Sequence, residues 1–183
     1  MVYDLLKVCT GKGAKSVIKI VADSSALILL AKCGLLETLC NIYEVISPSS
    51  VISEVASEEM VKNYPDATLI ADLISKGVIK KQDPVKVEFR PPLALHQGEK
   101  DALLLAREIS NSLFATDDRK AIKAAKFLNV PFIITPKIVI ELFKIQKISF
   151  NVARESIEKL SIIGRYSPDI IANALTLLIE EKK

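Results

Sequence analysis

The stretch Leu113-Phe114-Ala115-Thr116-Asp117-Asp118 limits the possible folds more than any other: an apolar run of strand length stops at two adjacent carboxylates, and a basic, helix-period pattern follows at once. A run bounded in this way and feeding a helix reads as a strand of a parallel sheet, buried on both faces. In open α/β sheets the carboxyl ends of the strands form the rim at which ligands bind. Two acids at that rim raise the question of whether other strands deliver acids there too.

The same grammar recurs along the chain. Residues Val17 to Ala22 are β-branched and apolar and end at Asp23, where Ser24 and Ser25 offer an N-cap for a helix through Ala31 that Gly34 ends. A short helix over Leu35 to Cys40 and a strand over Tyr43 to Ile46 follow. Ser47-Pro48-Ser49-Ser50 then starts a helix carrying Glu54 in its first turns. Pro65-Asp66 opens a helix that Gly77 stops, and Val78 to Pro92 reads as irregular strand and loop. Gly98-Glu99-Lys100-Asp101 opens a helix whose continuation, Ala102-Leu103-Leu104-Leu105-Ala106, is apolar on every face and therefore buried. After the basic helix Asp118 to Leu128 comes a strand over Val130 to Ile134, then a helix from Thr135-Pro136 through Lys144. Asn151 and Ser167-Pro168-Asp169 cap two last helices, a hairpin hinged at Gly164. Strands alternating with helices predict a three-layer α/β/α fold with a central, mainly parallel sheet plus the C-terminal helical hairpin. The expected organisation is an N-terminal extension at 1–16, a main α/β domain at 17–145, and helices at 146–183 packed on it.

With 183 residues, half of them hydrophobic, the chain suits one α/β domain and is short for two. The net charge of +3 is too small to announce nucleic acid by itself, so any such argument rests on local clusters of Lys and Arg. Cys9, Cys33 and Cys40 form no CxxC pair and leave an odd thiol, which suits reduced, buried cysteines in the cytosol. The most apolar stretch, Ala26 to Leu36, is broken by Lys32 and Gly34, so neither a membrane span nor a signal peptide is expected, and the protein is expected in the cytoplasm.

Asp23, Glu54, Asp101 and the Asp117/Asp118 pair all fall at strand ends or helix starts that this architecture could bring to one rim. Clustered carboxylates cannot all stay ionised unless a cation neutralises them, and hard oxygen ligands suit Mg²⁺ or Mn²⁺. Such a site can hydrolyse phosphodiesters. Each acid also has a plainer reading: Glu99, Asp101 and Asp118 could simply complement helix dipoles. Asp23 is harder to dismiss, because it follows a β-branched strand inside an apolar stretch and a buried charge needs a partner. The only histidine, His96, lies in a proline-rich loop and is read as a loop-packing residue rather than a general base. The stripe Arg119, Lys120, Lys123, Lys126 is either a solvated face or a track for a phosphate backbone.

The succession Val21-Ala22-Asp23-Ser24-Ser25-Ala26-Leu27-Ile28, Ser53-Glu54-Val55, Gly98-Glu99-Lys100-Asp101-Ala102 and Ala115-Thr116-Asp117-Asp118-Arg119 resembles the PIN-domain family, closest to its VapC-like toxin ribonucleases. The resemblance covers roughly Val17 to Ile140. It implies a Mg²⁺- or Mn²⁺-dependent ribonuclease acting on single-stranded or looped RNA, often held inactive by a small antitoxin and often a homodimer. It also implies Asp23, Asp101 and Asp117 as metal ligands, Glu54 as the supporting helix acid, and Thr116 as the hydroxyl that braces the turn. Glu99 rivals Asp101, since residues two apart on a helix point in roughly opposite directions, and Asp118 rivals Asp117. Arg119, Lys120 and Lys123 would attract the RNA backbone. The N-terminal extension, the insert at 57–95 and the C-terminal hairpin depart from the family pattern. The non-enzymatic alternative is a PIN-like RNA-binding or scaffold module whose acids do not assemble.

Overall fold

Each of the strand-length apolar runs takes its place in one parallel sheet. The structure, a computed structural model, describes residues 18–85 and 93–182. The elements run β1 (Lys19–Ala22), α1 (Ser24–Lys32), α2 (Leu36–Cys40), β2 (Glu44–Ser47), α3 (Ser49–Val55), α4 (Glu58–Asn63), α5 (Pro65–Ser75), β3 (Ile79–Lys81), α6 (Gln97–Glu108), β4 (Ser112–Ala115), α7 (Arg119–Phe127), β5 (Phe132–Ile133), α8 (Thr135–Lys144), α9 (Phe150–Ile163) and α10 (Pro168–Glu180). The expected extension at 1–16, with Cys9, lies outside the described residues, as do Val17 and the proline-containing stretch at 86–92.

The sheet has the order β3-β2-β1-β4-β5, with every pairing parallel. The chain therefore builds outward from β1 in one direction and, after β3, returns to build outward on the other side. The reversal falls between β1 and β4. In α/β sheets that is where the rim opens into a crevice. Register fixes what meets there: Val21 pairs with Phe114 and Ala22 with Ala115, so Asp23 and Thr116 leave the sheet side by side. The Asp23 amide still bonds the Ala115 carbonyl (3.1 Å), which holds the first residue beyond the strand in line.

Packing explains why the strands carry so few polar residues. Ile20, Val21, Val45, Ile46 and Phe114 are fully buried, as a sheet covered on both faces requires. The edge strand β3 presents Lys80, which pairs with Glu44 (3.2 Å), and charge at an edge discourages pairing with another chain. Gly34 and Gly77 adopt left-handed backbone (φ +70° and +68°) one residue beyond the C-caps of α1 and α5. There the paired bonds Gly34 to Ala31 and Leu35 to Leu30, and their equivalents at Gly77, close the last turn.

Several local expectations are corrected. Asp23 itself, rather than Ser24 or Ser25, caps α1, because its carboxylate accepts from the Ala26 amide (2.9 Å). Ser149, rather than Asn151, caps α9 by accepting from the Val152 amide. The Ser49 amide at the start of α3 is bonded from a distance by Asp83 (2.7 Å), whereas Ser47 donates to the Ala22 carbonyl. The strand expected over Val130 to Ile134 shrinks to two residues, since Pro131 has no N–H to give the ladder and only its carbonyl accepts, from Phe114. Helix α4 was not foreseen. It buries no residue, so it carries no apolar stripe to read.

Candidate active site

The carboxyl ends of β1 and β4 enclose a cavity of about 380 Å³, and five acids line it: Asp23, Glu54, Glu99, Asp117 and Asp118. Asp23 is 1% exposed. Its Oδ1 accepts from the Ser25 hydroxyl (2.7 Å) and the Ala26 amide (2.9 Å), and its Oδ2 accepts from the Thr116 hydroxyl (2.5 Å). Thr116 in turn accepts from the Asp118 amide (3.2 Å), and so braces the turn after β4 against the end of β1. Ser25 works the same seam from the other side, accepting from the Asp117 amide (2.9 Å).

Asp117 is held just as firmly. Its Oδ1 accepts from the Thr135 amide (2.8 Å) and the Tyr166 hydroxyl (2.5 Å), and its Oδ2 from the Thr135 hydroxyl (2.5 Å). Thr135 is the first residue of α8, so this carboxylate also sits at the positive end of that helix. A carboxylate has about four acceptor positions on its two oxygens. Three are filled on Asp23 and three on Asp117, which leaves each acid an open position on Oδ2.

The second-choice acids both bond backbone amides at helix starts, and both line the cavity. Asp118 caps α7 through Oδ1, which accepts from the Lys120 (2.7 Å) and Ala121 (3.0 Å) amides. Glu99 accepts from the His96 amide (3.0 Å) at the start of α6. Asp101 does not line the cavity: Ser50 (2.7 Å) and Gln97 (2.7 Å) hold its carboxylate against α3. Of the two acids near the start of this helix, Glu99 thus lines the cavity where Asp101 was expected. Glu54 is exposed on α3 and accepts from the Ser24 hydroxyl (2.6 Å).

Burial lifts the pKa of Asp23 from an ordinary 3.8 to about 7; proximity to Asp117 adds to the rise, and the bonds from Thr116, Ala26 and Ser25 oppose it. Burial also raises Asp117 and Glu99, and Glu99 feels Asp118 and Glu54 in addition. Among the described residues no Lys or Arg forms an ion pair with any of these five acids. In their present positions no three acidic, histidine or cysteine side chains among the described residues could jointly hold a metal ion. The donor chemistry nevertheless fits a hard divalent cation that uses one or two carboxylates and keeps several waters, the usual manner of Mg²⁺. Two open oxygens, on Asp23 and Asp117, match that need.

Arg119, Lys120 and Lys123 are exposed on α7, while Ala121, Ala124 and Ala125 pack inward. Sequence reasoning missed Thr135, Tyr166 and Arg165, and set aside His96, which lines the cavity although it is exposed. Thr135-Pro136 gave only a helix-start signal. Nothing local marked Tyr166, which stands 49 residues from the acid it touches.

An all-parallel sheet with carboxylates gathered at its reversal point defines the class: an α/β domain with an acidic crevice at the carboxyl ends of its strands. A family model described as DUF3368, a PIN domain, matches residues 19–181, and the chain belongs to that PIN-domain family. PIN domains are generally nucleases and typically bind nucleic acid. The match includes the C-terminal helices, which the residue pattern alone had set outside the resemblance. No curated protein and no solved structure matches the chain significantly. Among the described residues no helix is long and apolar enough to cross a membrane.

Proposed function

We propose that this protein is a Mg²⁺- or Mn²⁺-dependent endoribonuclease that cleaves single-stranded or looped RNA at the cavity between β1 and β4. The observation that carries the reading is the set of five acids around one cavity with no Lys or Arg among the described residues paired to them. Asp23 and Asp117 would hold the ion. When bound, a divalent cation activates water and stabilises the developing charge of a phosphodiester transition state. The chain's own part is orientation. Ser25, Thr116 and Thr135 donate to the two carboxylates and fix which oxygens remain open, while Ser24 keeps Glu54 at the cavity. Glu54, Glu99 and Asp118 add negative charge around the ion, and Arg119, Lys120 and Lys123 draw in the RNA backbone. Asp101 serves instead to tie α6 to α3.

A competing reading, a non-catalytic RNA-binding or scaffold module, draws on one observation: Asp23 and Asp117 are each already held by three donors. A Mn²⁺-dependent cleavage assay on a mixed RNA pool decides between the two. Wild-type protein should cleave in Mn²⁺ and stop in chelator. Asp23→Asn, which removes charge but not volume, should be inactive yet folded. Cleavage in chelator at the full rate would contradict the reading. The finer expectations, a toxin-type role with a small antitoxin partner, a homodimer and a cytoplasmic location, extend this proposal on the strength of the resemblance to VapC-like ribonucleases.

A further inference from the structure

The loop between α9 and α10 returns to the acid cavity from the far end of the chain. Ile163, Gly164 and Arg165 line the cavity, and Tyr166 reaches past it to Asp117. Three contacts fix the loop. The Tyr166 hydroxyl donates to Asp117 Oδ1. Arg119, the first residue of α7, donates from Nη2 to the Arg165 carbonyl (3.4 Å). At Gly164 a Cβ would stand 2.3 Å from Tyr166 Cε2 and 2.8 Å from the Leu160 carbonyl oxygen, so only glycine lets the ring lie against the chain at this turn.

A loop pinned on both sides presents the residue between the pins at a set place. That residue is Arg165, the only Lys or Arg among the described residues that lines the cavity, and it is exposed. It forms no ion pair with a carboxylate among the described residues, although five acids share its cavity. A guanidinium offers a planar fork of donors suited to two phosphate oxygens, and an arginine beside an acidic pocket without pairing to it keeps those donors for a ligand.

We propose that Arg165 is a substrate-binding residue, held by the Gly164–Tyr166 loop so that its guanidinium takes the phosphate backbone of the RNA at the mouth of the acid cavity. This rests on the nuclease reading for its substrate, but the test does not require cleavage. Binding of a single-stranded oligouridylate is measured against salt concentration, once in chelator and once with Ca²⁺, for wild type, Arg165→Gln and Arg107→Gln. Arg107 is the control: it is exposed at the opposite rim, lining a second cavity of about 320 Å³ that no acid among the described residues lines. Arg165→Gln should bind roughly three- to tenfold more weakly, as expected for one charge-assisted phosphate contact, while Arg107→Gln binds like wild type. The slope of log affinity against log salt should fall by about 0.7, the share of one phosphate on a single strand. In cleavage assays the KM should rise more than kcat falls. Unchanged affinity and slope for Arg165→Gln, or an equal loss in Arg107→Gln, would overturn the assignment. A protein that fails to cleave but shows the Arg165 effect would refute the nuclease reading alone.

Discussion

Asp23 is destabilising in its ionised form as long as no cation lies beside it. Its carboxyl is buried against Ala26, Ser25 and Thr116, and burial moves its pKa to about 7. The folded protein therefore holds this proton more tightly than the unfolded chain does. The resulting stability is fully present below the unfolded pKa and is lost as pH rises through about 7. Asp117 and Glu99 shift in the same direction and reinforce the trend. Two outcomes follow for thermal unfolding in chelator. Wild type should melt lower at about pH 8 than at about pH 5, and Asp23→Asn should be the more stable protein at the higher pH only. At this chain length each 1 kcal/mol moves Tm by about 2–4 °C, well within measurement. A wild-type Tm that does not fall over this range, or an Asp23→Asn protein less stable at the higher pH, would mean the carboxylate is already compensated by a partner.

At the scale of elements, the site depends on how closely α6 approaches α3. Gly98 makes that approach possible: a Cβ there would come 3.1 Å from both Glu54 Oε2 and Val51 Cγ2. Glu54 Oε2 ends a flexible, exposed side chain that can give way, whereas Val51 is β-branched and fully buried. Gly98→Ala should still fold, with a stability change within about 1 kcal/mol because the gain in helix propensity offsets much of the crowding against Val51. The displaced group is the Glu54 carboxylate with its Ser24 bond, and cleavage should fall several-fold while Tm barely moves. An unchanged rate would remove Glu54 from the site. The same pair of helices shows why the sequence leaves Glu99 and Asp101 as rivals. Helical periodicity says that Glu99 and Asp101 point apart but not which one faces the cavity. That choice is set by two local bonds, Glu99 accepting from the His96 amide and Asp101 accepting from Ser50 on the neighbouring helix, and neither is visible in a spacing pattern.

For the molecule as a whole, the sheet was legible because its strands obey one strong rule: apolar runs that end abruptly at Asp23 and at Asp117 have nowhere to lie except inside a parallel sheet. The placement of β1 beside β4, and hence of Asp23 beside Thr116, follows from strand order, which no run of residues specifies. Still less legible was the contribution of the C-terminal helices. Their apolar positions, among them Ala153, Ile157, Leu160 and Leu178, join the common core, and the hairpin so anchored sends Tyr166 to Asp117. That long-range hydrogen bond makes the C-terminal hairpin part of the site. Tyr166→Phe keeps the ring and removes the bond, so it should cost about 1.5–3 kcal/mol, the worth of a hydrogen bond to a charged group. A loss below about 0.5 kcal/mol in denaturant unfolding, the range of ordinary surface changes, would show that the hairpin does not depend on Asp117.

The central claim is that Asp23 and Asp117, residues 94 positions apart in the numbering, together hold one divalent cation. Calorimetric titration of Mn²⁺ into wild type, Asp23→Asn, Asp117→Asn and Asp101→Asn tests it most directly. Wild type and Asp101→Asn should bind alike, and the other two should each lose more than about tenfold in affinity, the least expected when a direct ligand is removed. No binding to wild type, or a loss confined to Asp101→Asn, would contradict it.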